Sequence, residues 1–152
     1  MSDFKDLVAI VTGGASGIGE ATAKLLQSRG GKVFVFDRNQ PTNPIIGVTY
    51  LICDITNRED VNKSVADVAK NGLDILINNA GTIMRMPAAE HPDEYWDRVM
   101  AINLDSQFIL AREIGREMIA RGSGKIIFTA SLLTFQGGIN VPSYAASKGA
   151  VD

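Results

Sequence analysis

Residues 7–19 read Leu7-Val8-Ala9-Ile10-Val11-Thr12-Gly13-Gly14-Ala15-Ser16-Gly17-Ile18-Gly19. The unbroken apolar run from Leu7 to Val11 suits a strand covered on both faces, since a strand with one wet face would alternate. Thr12 passes the chain to a turn of small residues, and Glu20 to Arg29 resumes with helical spacing at Ala21, Leu25 and Leu26. A strand, a glycine-rich turn and a helix in that order bring backbone N–H groups and the positive end of a helix to one place, where a phosphate can approach closely. The glycines fall at positions 13, 17 and 19, a Gly-x-x-x-Gly-x-Gly spacing rather than the commoner Gly-x-Gly-x-x-Gly. Gly13, Ser16, Gly17, Ile18 and Gly19 are therefore the candidate phosphate-cradling residues.

Working outward, the same rhythm repeats. Gly30-Gly31 ends the first helix, and Lys32 to Phe36 forms a second strand that stops at Asp37. A Pro/Asn/Gly-rich loop over 38–47 precedes a third strand, Val48 to Cys53. Thr56-Asn57-Arg58-Glu59 has capping-box spacing, and Val61, Val65 and Val68 continue on one helical face. Leu73 to Ile77 reads as a fourth strand running into Asn78-Asn79-Ala80-Gly81. Pro92 suits the first turn of a helix through Trp96 and Met100, and an amphipathic stretch from Leu104 to Ala120 is broken by Gly122-Ser123-Gly124. Lys125 to Thr129 is a fifth strand, and after a loop Pro142 to Asp152 begins another helix. This alternation predicts an α/β fold, a doubly wound parallel sheet with strands in the order 3-2-1-4-5. Sheets of this type usually add a sixth strand. Residues 1–152 are thus expected to be one incomplete dinucleotide-binding and catalytic domain, with carboxy-terminal strands missing.

Composition narrows the function classes. Of the 152 residues, 45% are hydrophobic and 21% charged, as in ordinary globular chains. With 17 acidic against 15 basic side chains the net charge is −2, which leaves no basic excess for a nucleic-acid backbone. A single cysteine, Cys53, excludes an intrachain disulfide, and a single histidine, His91, argues against a metal cluster. Cys53 closes an apolar run and reads as a small buried hydrophobe. The charged start and the lack of any apolar run near ~20 residues point to a cytoplasmic chain with no membrane partner.

Two further features carry chemistry. Asp37 ends the second strand, where a carboxylate can accept hydrogen bonds from the adenosine ribose hydroxyls of a dinucleotide and repel a ribose phosphate. That favours NAD over NADP as cofactor, although the neighbouring Arg38 could accept a phosphate. Tyr144 and Lys148 lie four apart and share one helical face. A phenol titrates near 10 in water, too high for acid–base work at neutral pH, and a neighbouring ammonium together with an oxidised nicotinamide favours its phenolate.

Taken together, these motifs resemble the short-chain dehydrogenase/reductase family. The likeness rests on Thr12-Gly13-x-x-x-Gly17-Ile18-Gly19, Asp54-Ile55, Asn78-Asn79-Ala80-Gly81, Asn103 within Ala101-Ile102-Asn103-Leu104, Ser131, and Tyr144-Ala145-Ala146-Ser147-Lys148. The resemblance implies that Tyr144 exchanges a proton with the substrate oxygen while hydride moves to or from the nicotinamide. It also implies that Ser131 orients that oxygen, and that Lys148 binds the nicotinamide ribose and favours the phenolate. Asn103 would hold a relay water, Asp54 and Ile55 would flank the adenine, and Asn79, Ala80 and Gly81 would complete the cofactor site. A small-molecule substrate follows, and a homo-oligomer for a full-length chain. Residues 130–144 and 81–88 look like the 2-deoxy-D-gluconate 3-dehydrogenase group, which acts on keto sugar acids. Arg85 would then pair with the substrate carboxylate, where a bidentate guanidinium fits, and Gln136 would contact a hydroxyl. Other enzymes on this scaffold, an NADP-dependent 3-oxoacyl-thioester reductase or a polyol dehydrogenase, are the alternatives. A third is a non-catalytic nucleotide-binding fragment, because with the fifth strand an exposed edge the isolated chain is expected to fold poorly and be inactive.

Overall fold

The computed structural model of the protein describes residues 3–152. Its core is a five-stranded parallel sheet in the order β3-β2-β1-β4-β5, as the alternation predicts. The strands are β1 (Val8–Thr12), β2 (Lys32–Asp37), β3 (Val48–Ile52), β4 (Ile75–Asn78) and β5 (Lys125–Phe128). Every residue of β1 is buried, because alternate side chains feed two separate cores. Val8 and Ile10 pack on one face with Val61, Val65 and Val68 of α2 (Arg58–Ala69) and with Ile109, Leu110 and Ile114 of α4 (Ser106–Arg121). Ala9 and Val11 pack on the other face with Ala23 and Leu26 of α1 (Gly17–Ser28). Helices on both faces, α2 and α4 on one and α1 on the other, are what an all-apolar strand requires.

Three local readings are corrected. The cap of α2 is Asn57, whose Oδ1 accepts from the Glu59 and Asp60 amides at 2.9 and 3.3 Å; Thr56 turns back onto Asp54 instead. The stretches around Pro92 and Leu104 are one rod rather than two helices. α3 (Asp93–Met100) runs through a π-helical turn, Ala101–Asp105, directly into α4. The loop after β5 contains a short helix, α5 (Leu133–Gln136), before α6 (Pro142–Val151).

The chain crosses from β3 to β4 on the far side of β1, so the carboxyl ends of β1 and β4 part at a switch in strand order, where open α/β sheets hold ligands. Thr12 closes the base of this crevice. Its buried Oγ1 accepts from the Asn79 and Ala80 amides, each at 3.0 Å, while the Asn79 side chain donates to the Thr12 carbonyl at 3.1 Å. Among the described residues no helix is long and apolar enough to cross a membrane.

Candidate active site

A cavity of about 750 Å³ lies over the carboxyl ends of β1, β2 and β4. Gly13, Ser16 and Ile18 of the turn line it, together with Asp37 at the end of β2. Asp54 and Ile55 face it from the β3 side, and Asn79, Ala80 and Gly81 from β4. Gly17 and Gly19 are not part of the lining; they shape it. Gly17 holds φ +59, a left-handed turn that costs a residue with a Cβ, and open space surrounds it. At Gly19 a Cβ would stand 2.2 Å from the Gly13 carbonyl oxygen and 2.7 Å from the Asn79 amide, so only hydrogen fits there.

Asp37 is already tied into the turn. Its carboxylate accepts from the Ala15 amide at 3.1 Å and from the Asn39 amide at 2.9 Å. This leaves further lone pairs facing the cavity for hydroxyl donors. Asp54 is held below the usual carboxylate range by the Thr56 hydroxyl and amide, at 2.7 and 2.9 Å. Arg38 and Arg98 also line the cavity, and the Arg38 guanidinium adds to the lowering at Asp54. Arg98 lies on α3, and no sequence motif pointed to it. Cys53 is 1% exposed and burial pushes its thiol up, in keeping with a packing role. The small residues at the turn and the carboxylate at the end of β2, at the edge of one cavity, fit a dinucleotide.

Sharing Ile18, Asn79, Gly81 and Thr82 with the first, a second cavity of about 440 Å³ extends the cleft towards α6. Ser131, Tyr144, Lys148 and Arg85 all line it. Tyr144 and Lys148 share a helix face, with the ammonium 5.8 Å from the ring centroid. Lys148 is 3% exposed, and burial pushes its ammonium below the ordinary value of 10.5. It donates to the Thr129 carbonyl at the end of β5. Ser131 Oγ accepts from the Leu133 amide at 3.2 Å, which leaves its O–H free to donate into the cleft.

Asn103 lies beneath the cleft rather than in its wall. Fully buried in the π-helical turn, it accepts from the Thr82 amide at 2.8 Å and donates to the Thr82 carbonyl and to Ser147 Oγ, at 2.9 and 3.1 Å. Ser147 in turn donates to the Tyr144 carbonyl at 2.8 Å, so the extra residue of the π turn aims one amide at two walls of the site. Gln136 departs from expectation. It ends α5 as an exposed residue outside both cavities. Sequence reading assigned no role to Thr12 and Ser147, which fall within its motifs, or to Thr82; their roles come from hydrogen bonds between distant segments. Only Thr12, a polar residue ending an apolar strand, carried a visible hint.

Comparison with known proteins agrees with this geometry. Residues 7–152 match the short chain dehydrogenase family. A 2-dehydro-3-deoxy-D-gluconate 5-dehydrogenase of Pseudoalteromonas atlantica is 49% identical over 95% of this chain and 61% of its own length. An NAD-dependent glycerol dehydrogenase of Listeria innocua is 40% identical over 98% of this chain and 62% of its own. A solved structure from Beutenbergia cavernae, proposed to be an NAD(P)-dependent gluconate 5-dehydrogenase and holding NADP at low occupancy, superposes with TM-score 0.92 at 36% identity. It covers 99% of this chain and 64% of that one. The chain spans about 61% of the length of the relatives it matches. With the sheet order, the glycine turn and the matched residues in agreement, this chain belongs to the short-chain dehydrogenase family.

Proposed function

We propose that residues 1–152 form the dinucleotide-binding and catalytic part of an NAD-dependent oxidoreductase. The enzyme would act on a secondary alcohol or ketone of a sugar acid, such as 2-deoxy-D-gluconate at its 3-position. One observation carries the reading: Ser131, Tyr144, Lys148 and Arg85 line a cavity continuous with the one that the glycine turn frames. A bound nicotinamide would accept or supply the hydride. The chain's own residues do the rest. Ser131 donates its free O–H to the reacting oxygen and orients it. Tyr144 takes the hydroxyl proton in oxidation and returns it in reduction. Lys148 spends one N–H on Thr129 and keeps two for a ribose hydroxyl and the phenol oxygen. Asn103 holds Thr82 and the Tyr144 helix from below, and its remaining oxygen lone pair is where a relay water would bind.

Arg85 sets the substrate class in this reading, because its guanidinium at the cavity wall can clamp a carboxylate through two parallel hydrogen bonds. Asp37 sets the cofactor: a carboxylate there repels a ribose phosphate, against which the neighbouring Arg38 pulls the other way. The test is steady-state oxidation by the full-length enzyme that carries this sequence. Sugar acids, 2-deoxy-D-gluconate and 2-dehydro-3-deoxy-D-gluconate, are compared with neutral polyols, each with NAD and with NADP. Sugar acids with NAD are expected to be preferred, and Arg85→Met is expected to raise KM for the acid by about ten- to a hundredfold, the worth of a charged hydrogen bond. Equal rates on acids and polyols would remove the carboxylate reading, and a preference for NADP would remove the role given to Asp37.

A further inference from the structure

The segment before α3 braces the start of the Tyr144 helix at two points that the chemistry above does not use. The Met86 amide donates to the Asn140 carbonyl at 2.9 Å, and Nε2 of His91 lies 2.9 Å from Oγ of Ser143. Ser143 is fully buried, directly precedes Tyr144 and stands in the first turn of α6 behind Pro142. No side chain caps that helix with a hydrogen bond. His91, the sole histidine of the sequence, is half-buried, and its ring meets Tyr95 edge-on with centroids 5.8 Å apart. Its Nδ1 is buried without a hydrogen-bond partner. An enclosed N–H with no acceptor is rarer than a bare acceptor, so this packing favours the tautomer that places the proton on Nε2 and donates to Ser143.

We propose that His91 is a positioning residue for Tyr144. By holding Ser143, it fixes the entry angle of an otherwise uncapped helix and so the point in the cleft that the phenol reaches. The helix is held again one turn further on, through Asn103 and Ser147; Ser143 and Ser147 lie four apart on one face and flank Tyr144 in the sequence. Because Arg85 precedes Met86, the same segment ties the carboxylate-binding wall to the proton-transfer helix. The inference rests on the proposed role of Tyr144, and its test is built to separate the two.

In the full-length enzyme, His91→Phe keeps the ring volume and the contact with Tyr95 but deletes the donor. It is expected to lower kcat by about ten- to a hundredfold, the cost of a misplaced reacting group, with the affinity for NADH unchanged. His91→Gln returns an N–H donor and is expected to recover most of that rate. Should His91→Phe fail to fold, Ser143→Ala removes the same hydrogen bond from the other side, with the same expected loss. An unchanged kcat in His91→Phe would overturn the proposal. So would a Gln variant as poor as Phe with NADH binding lost as well, which would mark a merely structural residue. If the wild-type enzyme transfers no hydride at all, the functional reading falls on its own. Crystal structures of the variants then decide the inference. It stands if the phenol moves relative to Lys148 in His91→Phe and not in His91→Gln, and it fails if the phenol is unmoved in both.

Discussion

Lys148 shows how a single side chain reports on this cleft. It is 3% exposed and its ammonium has lost most of its water, so the folded chain releases that proton at a lower pH than the unfolded chain does. Below the lowered folded value both states are protonated and the full burial cost is present. Between that value and 10.5 the unfolded chain holds more protons, so stability rises with pH. Denaturant unfolding of the cofactor-free wild type and of Lys148→Met across this window is therefore expected to diverge. The wild type should gain by at most about 1.4 kcal/mol per pH unit relative to the variant. A constant difference would mean that the ammonium is solvated. Ser131, Tyr144, Lys148 and Arg85 were all legible as candidates in the sequence, and the fold brings them to one cavity. The exposed placement of Gln136 and the contact of His91 with Ser143 were not legible. Gln136 falls at the end of the short helix α5, and the bond from His91 to Ser143 joins segments far apart in the chain.

At the scale of elements, the strands were the most readable features, because a parallel strand buried on both faces must be a continuous apolar run. Helix boundaries were less so. Thr56 and Asn57 both offer an acceptor to the start of α2, and adjacency alone does not say which one turns inward. Asp54 captures Thr56 and leaves the cap to Asn57. Asn57→Ala is expected to cost about 1 kcal/mol in urea unfolding, the usual worth of such a cap, while Thr56→Val leaves the cap intact. A loss from Thr56→Val with none from Asn57→Ala would return the cap to Thr56. The π-helical turn was invisible for a related reason. Its extra residue disturbs the 3.6-residue period in a way that reads as a break between helices. The physical cause is the Asn103 amide, which bonds Thr82 and Ser147 from within the rod.

On the scale of the whole molecule, the two cavities form one cleft along the carboxyl edge of the sheet, from Asp37 at one end to Arg85 at the other. At or just past their carboxyl ends, β1, β2, β4 and β5 bring Thr12 and Gly13, Asp37, Asn79 and Thr129 to this edge. The far side of β5 is different in kind. Ile127 and Phe128 are half exposed, and Leu132, Phe135 and Ile139 beyond them lie more than three-quarters exposed, so apolar surface continues past the last strand. The proposed oxidoreductase function rests on a phenol, a hydroxyl and a buried ammonium lining a cavity that shares Ile18 with the one framed by the glycine turn.

The most direct test is turnover by Tyr144→Phe in the full-length enzyme, measured beside its affinity for NADH. Loss of the phenol oxygen is predicted to lower kcat by about 10²–10⁴-fold, the range for a positioned acid–base group, with NADH bound as tightly as before. A Tyr144→Phe enzyme that turned over at the wild-type rate would contradict the account.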